Sequence, residues 1–275
     1  MLVSVYIPTK NRLDLLQRAI GSIKAQTYRE IEIIVVDDGS TDGTGEYLAQ
    51  QVGKGNLKAI FHEKSLGACA ARNTAINYAR GEFVTGLDDD DYFLSSRRIE
   101  FFIEKWESVG NGVAGIFDSF KVKTSSGLIE RHLPKKVFYK DLRQYNLVGS
   151  QVFAPRKNYL DSGLFDIEMP AWQDWDLWIR MSEKFGYFIN INKLTYFVDE
   201  SHDANRITTR NGNNIREAMS KFSGKIKNIS SKEKSSLIIS MHAYPHVKPM
   251  IKDFLILLLA FRLKALLLLA RKMLA

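Results

Sequence analysis

Cysteine is almost missing from this 275-residue chain: Cys69 stands alone. A single thiol excludes an intrachain disulfide and a Cys-rich zinc site, and the scarcity fits a reducing compartment. Also missing is an unbroken apolar run of the ~20 residues that a membrane-spanning helix requires. The greasiest stretch, residues 254–270, is interrupted by Arg262 and Lys264, and each such charge near a bilayer centre costs roughly 2.5–3.5 kcal/mol. No basic segment precedes the short apolar run at residues 1–7. That run therefore reads as a strand and not as a secretory leader, and the expected location is the cytoplasm. Internal repeats and low-complexity linkers are lacking too, which sets solenoids and disordered arrays aside.

What is present is a basic chain with enough apolar mass for a core: 45% hydrophobic residues and a formal charge of +8. A basic balance points to an anionic partner, whether nucleic acid, membrane surface or phosphorylated substrate. The excess is concentrated late. Lysines crowd residues 221–234, and basic residues flank the apolar runs of 248–272.

The first ninety residues alternate between two periodicities. Residues 3–7 are β-branched and aromatic, hence a strand. Residues 11–26 place Leu15, Leu16, Ala19, Ile20 and Ile23 at helical spacing. The β-branched run at 31–36 predicts a buried parallel strand. Asp37-Asp38-Gly39-Ser40-Thr41-Asp42-Gly43 is a turn in which Ser40, Thr41 and Asp42 suit a helix N-cap. Residues 59–62 and 82–87 read as two further strands around an alanine-rich helix at 68–79. This order predicts an α/β fold, a mostly parallel central sheet flanked by helices, which binds ligands beyond the carboxyl ends of its strands. Later the pattern loosens to a helix at 95–107, a strand pair at 115–123 and 128–132, a helix at 172–185, short strands at 187–190 and 194–198, and a C-terminal helical appendage.

Several clusters carry chemistry, each with a plainer reading beside it. Asp88-Asp89-Asp90-Asp91 directly follows a strand. Four carboxylates packed there repel one another and lose solvent, which is costly without a cation. Mg²⁺ typically takes one or two carboxylates together with substrate phosphates, so a metal bridging protein and diphosphate is one reading and a solvated acidic turn the other. Asp37-Asp38-Gly39-Ser40 falls at the same sheet edge, where a carboxylate can accept from a base or ribose, or simply serve the turn. Residues 67–73, Gly-Ala-Cys-Ala-Ala-Arg-Asn, combine small residues at a helix start, favourable to anions, with Arg72, suited to phosphate or carboxylate. The alternative is close packing with Arg72 on the surface. Trp172-Gln173-Asp174-Trp175-Asp176-Leu177-Trp178 spaces three tryptophans by three, either a sugar-stacking face or core, with Trp178 assigned to core. Asp174 and Asp176 complement the helix dipole, and Asp174 is the candidate general base. His202 is either a metal ligand or an exposed loop histidine.

In their order and spacing these segments resemble the family 2 glycosyltransferases of the GT-A fold. The resemblance runs from residue 3 to about residue 210. It rests on Val3-Ser4-Val5-Tyr6-Ile7-Pro8-Thr9-Lys10-Asn11-Arg12, Val35-Val36-Asp37-Asp38-Gly39-Ser40-Thr41-Asp42, residues 67–73, residues 87–91 and residues 173–180. It implies a GT-A domain over 1–215, with a nucleotide-binding half at 1–95 and an acceptor half at 96–215, followed by a basic, apolar helical region at 216–275. By resemblance, Asp38 contacts the uracil of the donor in a pocket lined by Pro8 and Asn11, and Arg72 serves the nucleotide. Asp88 and Asp90 match the Asp-X-Asp motif, with Asp90 on Mn²⁺ or Mg²⁺ and Asp88 at the ribose or sugar. Asp89 joins the donor site because the four-Asp run leaves the register open by one. Asp174 matches the catalytic base, preceded by Gln173 where the family usually has Glu. His202 falls where some members carry a metal-ligating histidine.

The implied reaction is inverting transfer of a sugar from a UDP-sugar to a hydroxyl of a saccharide acceptor. Residues 249–275 predict a helix in the membrane interface. The expectation that follows is a lipid-linked acceptor in bacterial surface-polysaccharide synthesis and a peripheral position on the inner face of the cytoplasmic membrane. A helical hairpin docked on the domain, or on the second subunit of a homodimer, is the alternative. A sugar nucleotidyltransferase would carry a Gly-rich basic loop after the first strand, where this chain has Pro8-Thr9-Lys10-Asn11-Arg12. Acidic clusters at the ligand edge argue against nucleic acid.

Overall fold

The structure is a computed structural model that describes residues 1–124, 127–201 and 212–274. The first third runs β1 (Val3–Thr9), α1 (Leu13–Lys24), β2 (Ile31–Asp37), α2 (Thr44–Gly53), β3 (Lys58–Phe61), α3 (Ala68–Tyr78) and β4 (Phe83–Gly86). These strands are parallel in the order β3-β2-β1-β4. Because side chains alternate across a strand, β1 and β2 feed two cores. Val3, Val5, Ile33 and Val35 meet α1 through Leu16, Ala19 and Ile20 on one face. Tyr6, Ile34 and Val36 meet Ala71, Ala75 and Ile76 of α3 on the other. The helix after β2 is not capped by Ser40 or Thr41. It starts at Thr44 behind Gly43 at φ 88°, and Asp42 Oδ1 takes the Thr44 amide at 3.2 Å.

The middle third comprises β5 (Tyr92–Phe93), α4 (Arg98–Ser108), β6 (Val113–Thr124), β7 (Gly127–Arg131), β8 (Lys136–Val137), α5 (Tyr139–Leu142), β9 (Ala154–Pro155), α6 (Arg156–Asp161), α7 (Gln173–Phe185) and β10 (Tyr187–Asp199). β9 joins the first sheet antiparallel to β4. A second sheet orders β5-β10-β6-β7, with β8 on β10. The expected strand pair near residue 125 is the β6–β7 hairpin. The two short strands expected at 187–190 and 194–198 are one strand, β10. Register shifts between Asn190 and Tyr196, with Asn192 at φ 57°, interrupt its alternation without ending its pairing to β6.

The last elements are α8 (Gly212–Lys225), α9 (Ser231–His242), α10 (Ile251–Leu259) and α11 (Leu263–Leu274). Phe222 of α8 packs on Trp172 and Trp175, with ring centroids 5.9 and 4.7 Å away. A capping box of Ser230 and Glu233 opens α9. The single interfacial helix expected over 249–275 is instead a hairpin of α10 and α11, broken at Phe261 (φ 55°). Just past the break, Arg262 donates through Nε and Nη2 to the Ser235 and Ser236 hydroxyls of α9, both at 3.1 Å. Among the described residues no helix is long and apolar enough to cross a membrane.

Candidate active site

The loops after β1, β2 and β4 leave the same edge of the parallel sheet. Pro8 pairs with Val36 near the end of β1, and the chain then turns through Asn11 at φ 53°, a conformation Asn tolerates better than most residues. Asn11 N donates to Ser40 Oγ at 2.8 Å, and Asn11 Oδ1 accepts from Thr41 N at 2.7 Å. The two loops are thereby laced together. Asp37 accepts from Ser40 N at 2.9 Å. Asp38 turns toward the chain after β3, where it accepts from Ser65 Oγ (2.6 Å), Leu66 N (2.8 Å) and Gly67 N (2.9 Å) and lies 2.8 Å from His62 Nδ1. Four contacts fill a carboxylate's capacity. Burial opposes its charge, but these donors outweigh burial and hold the carboxyl below its usual range. Gly39 is demanded here: at φ 75° any Cβ would also stand 3.2 Å from Ser65 N.

The four adjacent aspartates have four different surroundings. Asp88 Oδ1 pairs with Arg72 Nη2 at 2.8 Å. Asp89 accepts from Thr9 Oγ1 at 2.8 Å and from Arg12 Nη1 at 2.9 Å. The same Arg12 nitrogen lies 2.9 Å from Asp90 Oδ2, and Arg18 donates to the main-chain oxygen of Asp90. Asp91 is buried against β10, accepting from Tyr196 OH at 2.8 Å and Asp199 N at 3.1 Å. Burial, reinforced by Asp88 and Asp90, lifts the Asp91 carboxyl well above the usual range. Burial likewise pushes Asp89 up to about 6, against the pull of Arg12.

Asp174 approaches from the other side, in the first turn of α7. It accepts from Asn146 Nδ2 at 3.0 Å. Burial raises its pKa, opposed by the Trp175 amide, the Arg72 guanidinium and Asn146, while the negative charge of Asp88 adds to the rise. Arg72 thus pairs directly with Asp88, and its charge opposes the rise at Asp174. Asn146 lies in the loop 143–152, which two indoles of α7 hold: Trp175 Nε1 donates to Leu142 O at the end of α5, at 2.7 Å, and Trp178 Nε1 to Gly149 O within the loop, at 2.8 Å. The tryptophans do not form a sugar-stacking face. Trp178 is core as assigned, and Trp172 and Trp175 join it there. Trp172 precedes the helix at φ 58°, which takes it out of helical phase. Asp176 is committed to Arg180 and Lys225, both at 2.7 Å.

The structure thus brings Pro8, Asn11, Arg72, Asp88, Asp89, Asp90 and Asp174 to one edge, with Asp38 just behind it. His202 lies outside the described residues. Sequence reasoning gave no role to Thr9, Arg12, Arg18, Tyr196 or Asn146. Thr9 and Arg12 stood inside a quoted motif. Tyr196 and Asn146 had no local signal, since only the fold brings them to the aspartates.

Comparison with known proteins follows the same lines. The model for glycosyl transferase family 2 matches residues 4–159. WcaA of Escherichia coli K12, a glycosyl transferase provisionally assigned to colanic acid biosynthesis, is 34% identical over 218 residues, 76% of each chain. WfgD of Escherichia coli, a UDP-Glc:α-D-GlcNAc-diphosphoundecaprenol β-1,3-glucosyltransferase, is 26% identical over 181 residues, 66% of this chain and 69% of its own. Among solved structures, Staphylococcus aureus TarS 1–349 in complex with UDP matches with a TM-score of 0.69 at 19% identity, over 92% of this chain and 77% of that one, a likeness of fold. The chain belongs to glycosyl transferase family 2 and has the GT-A fold.

Proposed function

We propose that this glycosyltransferase moves a sugar from a UDP-sugar to a hydroxyl of a lipid-linked saccharide, with inversion, in the assembly of a bacterial surface polysaccharide. The observation that carries the reading is the cluster of Asp88, Asp89 and Asp90 paired with Arg72 and Arg12 at the carboxyl edge of the sheet. The UDP held by TarS and the UDP-Glc and diphosphoundecaprenol-linked acceptor named for WfgD support the choice of donor and acceptor.

In this reading the uracil lies against Pro8 and Asn11, and Asp38 contributes by holding the loop 62–67 as the pocket wall. The contacts of Asp91 with Tyr196 and Asp199 of β10 support the register in which Asp88 and Asp90 form the Asp-X-Asp pair, with Asp89 between them. The residues fit Mn²⁺ or Mg²⁺. Their donors are hard oxygens, and the Arg12 nitrogen shared by Asp89 and Asp90 marks a point between two carboxylates where positive charge is favoured. Such an ion typically takes one or two carboxylates and completes its shell with phosphates and water. Asp90 would hold it, assisted by His202, and when bound it would neutralise charge on the departing diphosphate. Asn146 fixes the Asp174 carboxylate, which takes the acceptor's proton as the hydroxyl attacks from the face opposite the diphosphate. An α-linked donor then yields a β-glycoside. Asp174→Asn should cut transfer by roughly 10²–10⁴-fold and leave UDP binding intact. A variant that still transfers within a few-fold of the parent would remove Asp174 from the role of base.

The α10–α11 hairpin is the part assigned to the lipid surface. Ile251, Leu255, Leu258, Leu259, Phe261 and Leu267 are exposed, Phe261 to 88%, and exposed Lys252, Lys264 and Arg271 accompany them. Apolar side chains mixed with cations fit an anionic membrane interface. That contact would hold the enzyme peripherally at the inner face of the cytoplasmic membrane.

A further inference from the structure

Arg12 is the residue just before α1, and its guanidinium turns inward. A single nitrogen, Nη1, lies 2.9 Å from Asp89 Oδ1 and 2.9 Å from Asp90 Oδ2, so its two protons go to two different carboxylates. The seat is built from several sides. Thr9 Oγ1 donates to the other oxygen of Asp89 at 2.8 Å, and Arg18 donates to the main-chain oxygen of Asp90. The Asp89 and Asp90 side chains are 7% and 11% exposed and that of Arg12 22%. Two neighbouring buried carboxylates repel unless a cation sits between them, and here the chain supplies that cation itself.

We propose that Arg12 is a tethered stand-in for the metal: it neutralises Asp89 and Asp90 while the donor is absent, and moves onto the donor's diphosphate when a divalent ion takes the carboxylates. The proposal rests on the reading of Asp90 as a metal ligand and adds how that site is regulated. A free ion must displace a counter-charge that is tethered beside the carboxylates and therefore present at high effective concentration. A diphosphate offers a planar guanidinium a bidentate partner, so it draws Arg12 away as it brings oxygens of its own to the ion. Metal alone then binds weakly, and metal and nucleotide strengthen each other by one common factor, as linkage requires.

The test uses the full chain and titrates Mn²⁺ alone, UDP alone, and Mn²⁺ in the presence of UDP, by calorimetry and by the paramagnetic signal of free Mn²⁺. Arg12→Met keeps the length of the stem without the charge. It should bind Mn²⁺ alone about tenfold more tightly, and the factor by which UDP strengthens Mn²⁺ should fall about tenfold. Arg12→Lys keeps a charge at the seat and should restore weak binding of Mn²⁺ alone. An unchanged coupling factor in Arg12→Met, or Mn²⁺ affinity that does not rise, overturns the proposal. So does an Arg12→Lys variant that behaves as Arg12→Met does. Asp90→Ala separates the two readings. If it leaves Mn²⁺-dependent UDP binding intact, the metal assignment itself fails. If it abolishes that binding while Arg12→Met changes nothing, only the role of Arg12 fails.

Discussion

Glu32 places a charge near the start of β2, where the residues that follow, 33–36, are all Ile and Val. Its carboxylate accepts from Ser4 Oγ (2.6 Å), Lys58 Nζ (2.6 Å), Arg80 N (2.9 Å) and Arg80 Nε (3.0 Å). Burial alone would raise its pKa, but the Arg80 amide, Lys58 and Ser4 outweigh burial and bring it from 4.5 to about 2. The folded value lies below the unfolded one, so this contribution to stability is present above about pH 4.5 and is lost as the pH falls toward 2. With allowance for solvent around Arg80 it is on the order of 2 kcal/mol. Denaturant unfolding of Glu32→Gln across pH 2–7 should show lower stability at pH 7 and a shallower acid limb. An acid limb as steep as the parent's would contradict this account. Glu32 also marks the limit of sequence reading at this scale. The run Asp88–Asp91 is legible as four carboxylates, yet adjacency does not say that Asp91 belongs to Tyr196, Asp89 to Thr9 and Arg12, or Asp174 to Asn146. Those partners are remote in sequence and are supplied by the fold.

Elements announce themselves where one period dominates. The β-branched runs of β1 and β2 and the helical spacing of α1 are read directly, because two-sided burial leaves apolar residues in series and one-sided burial leaves them in phase. Legibility fails where a local feature breaks the phase without ending the element, as at the register shifts of β10, or ends it without a proline or glycine, as at Phe261. Just past that break Arg262 bonds two serines of α9. The hairpin that results leaves Leu259 73% and Leu267 66% exposed. Leucine burial contributes roughly 1.5–3 kcal/mol for a full side chain, so replacing both by Glu should weaken co-sedimentation with anionic phospholipid vesicles at least tenfold, with transfer to a water-soluble acceptor analogue unchanged. If the parent protein ignores such vesicles and instead self-associates through this face, the hairpin is a subunit interface.

Across the whole molecule the parallel order β3-β2-β1-β4 places four loops at one edge, two of them acidic, within a chain of net charge +8. The positive balance steers anions toward the protein, while in the proposed reading the aspartates at the edge meet an anionic donor with a compensating cation. The proposed metal rests on where the carboxylates are rather than on how many there are. The fold class and the site's location were legible because parallel sheets bind beyond their carboxyl ends. The packing of α8 on Trp172 and Trp175 was not, since it joins residues from opposite ends of the acceptor half and the C-terminal region. The most direct test is calorimetric titration of UDP into the full chain, with GDP as comparison, in Mn²⁺ and then in EDTA. The account predicts binding that selects UDP and disappears in EDTA. Binding of UDP that is equally tight in EDTA, or no binding of either nucleotide, would contradict it.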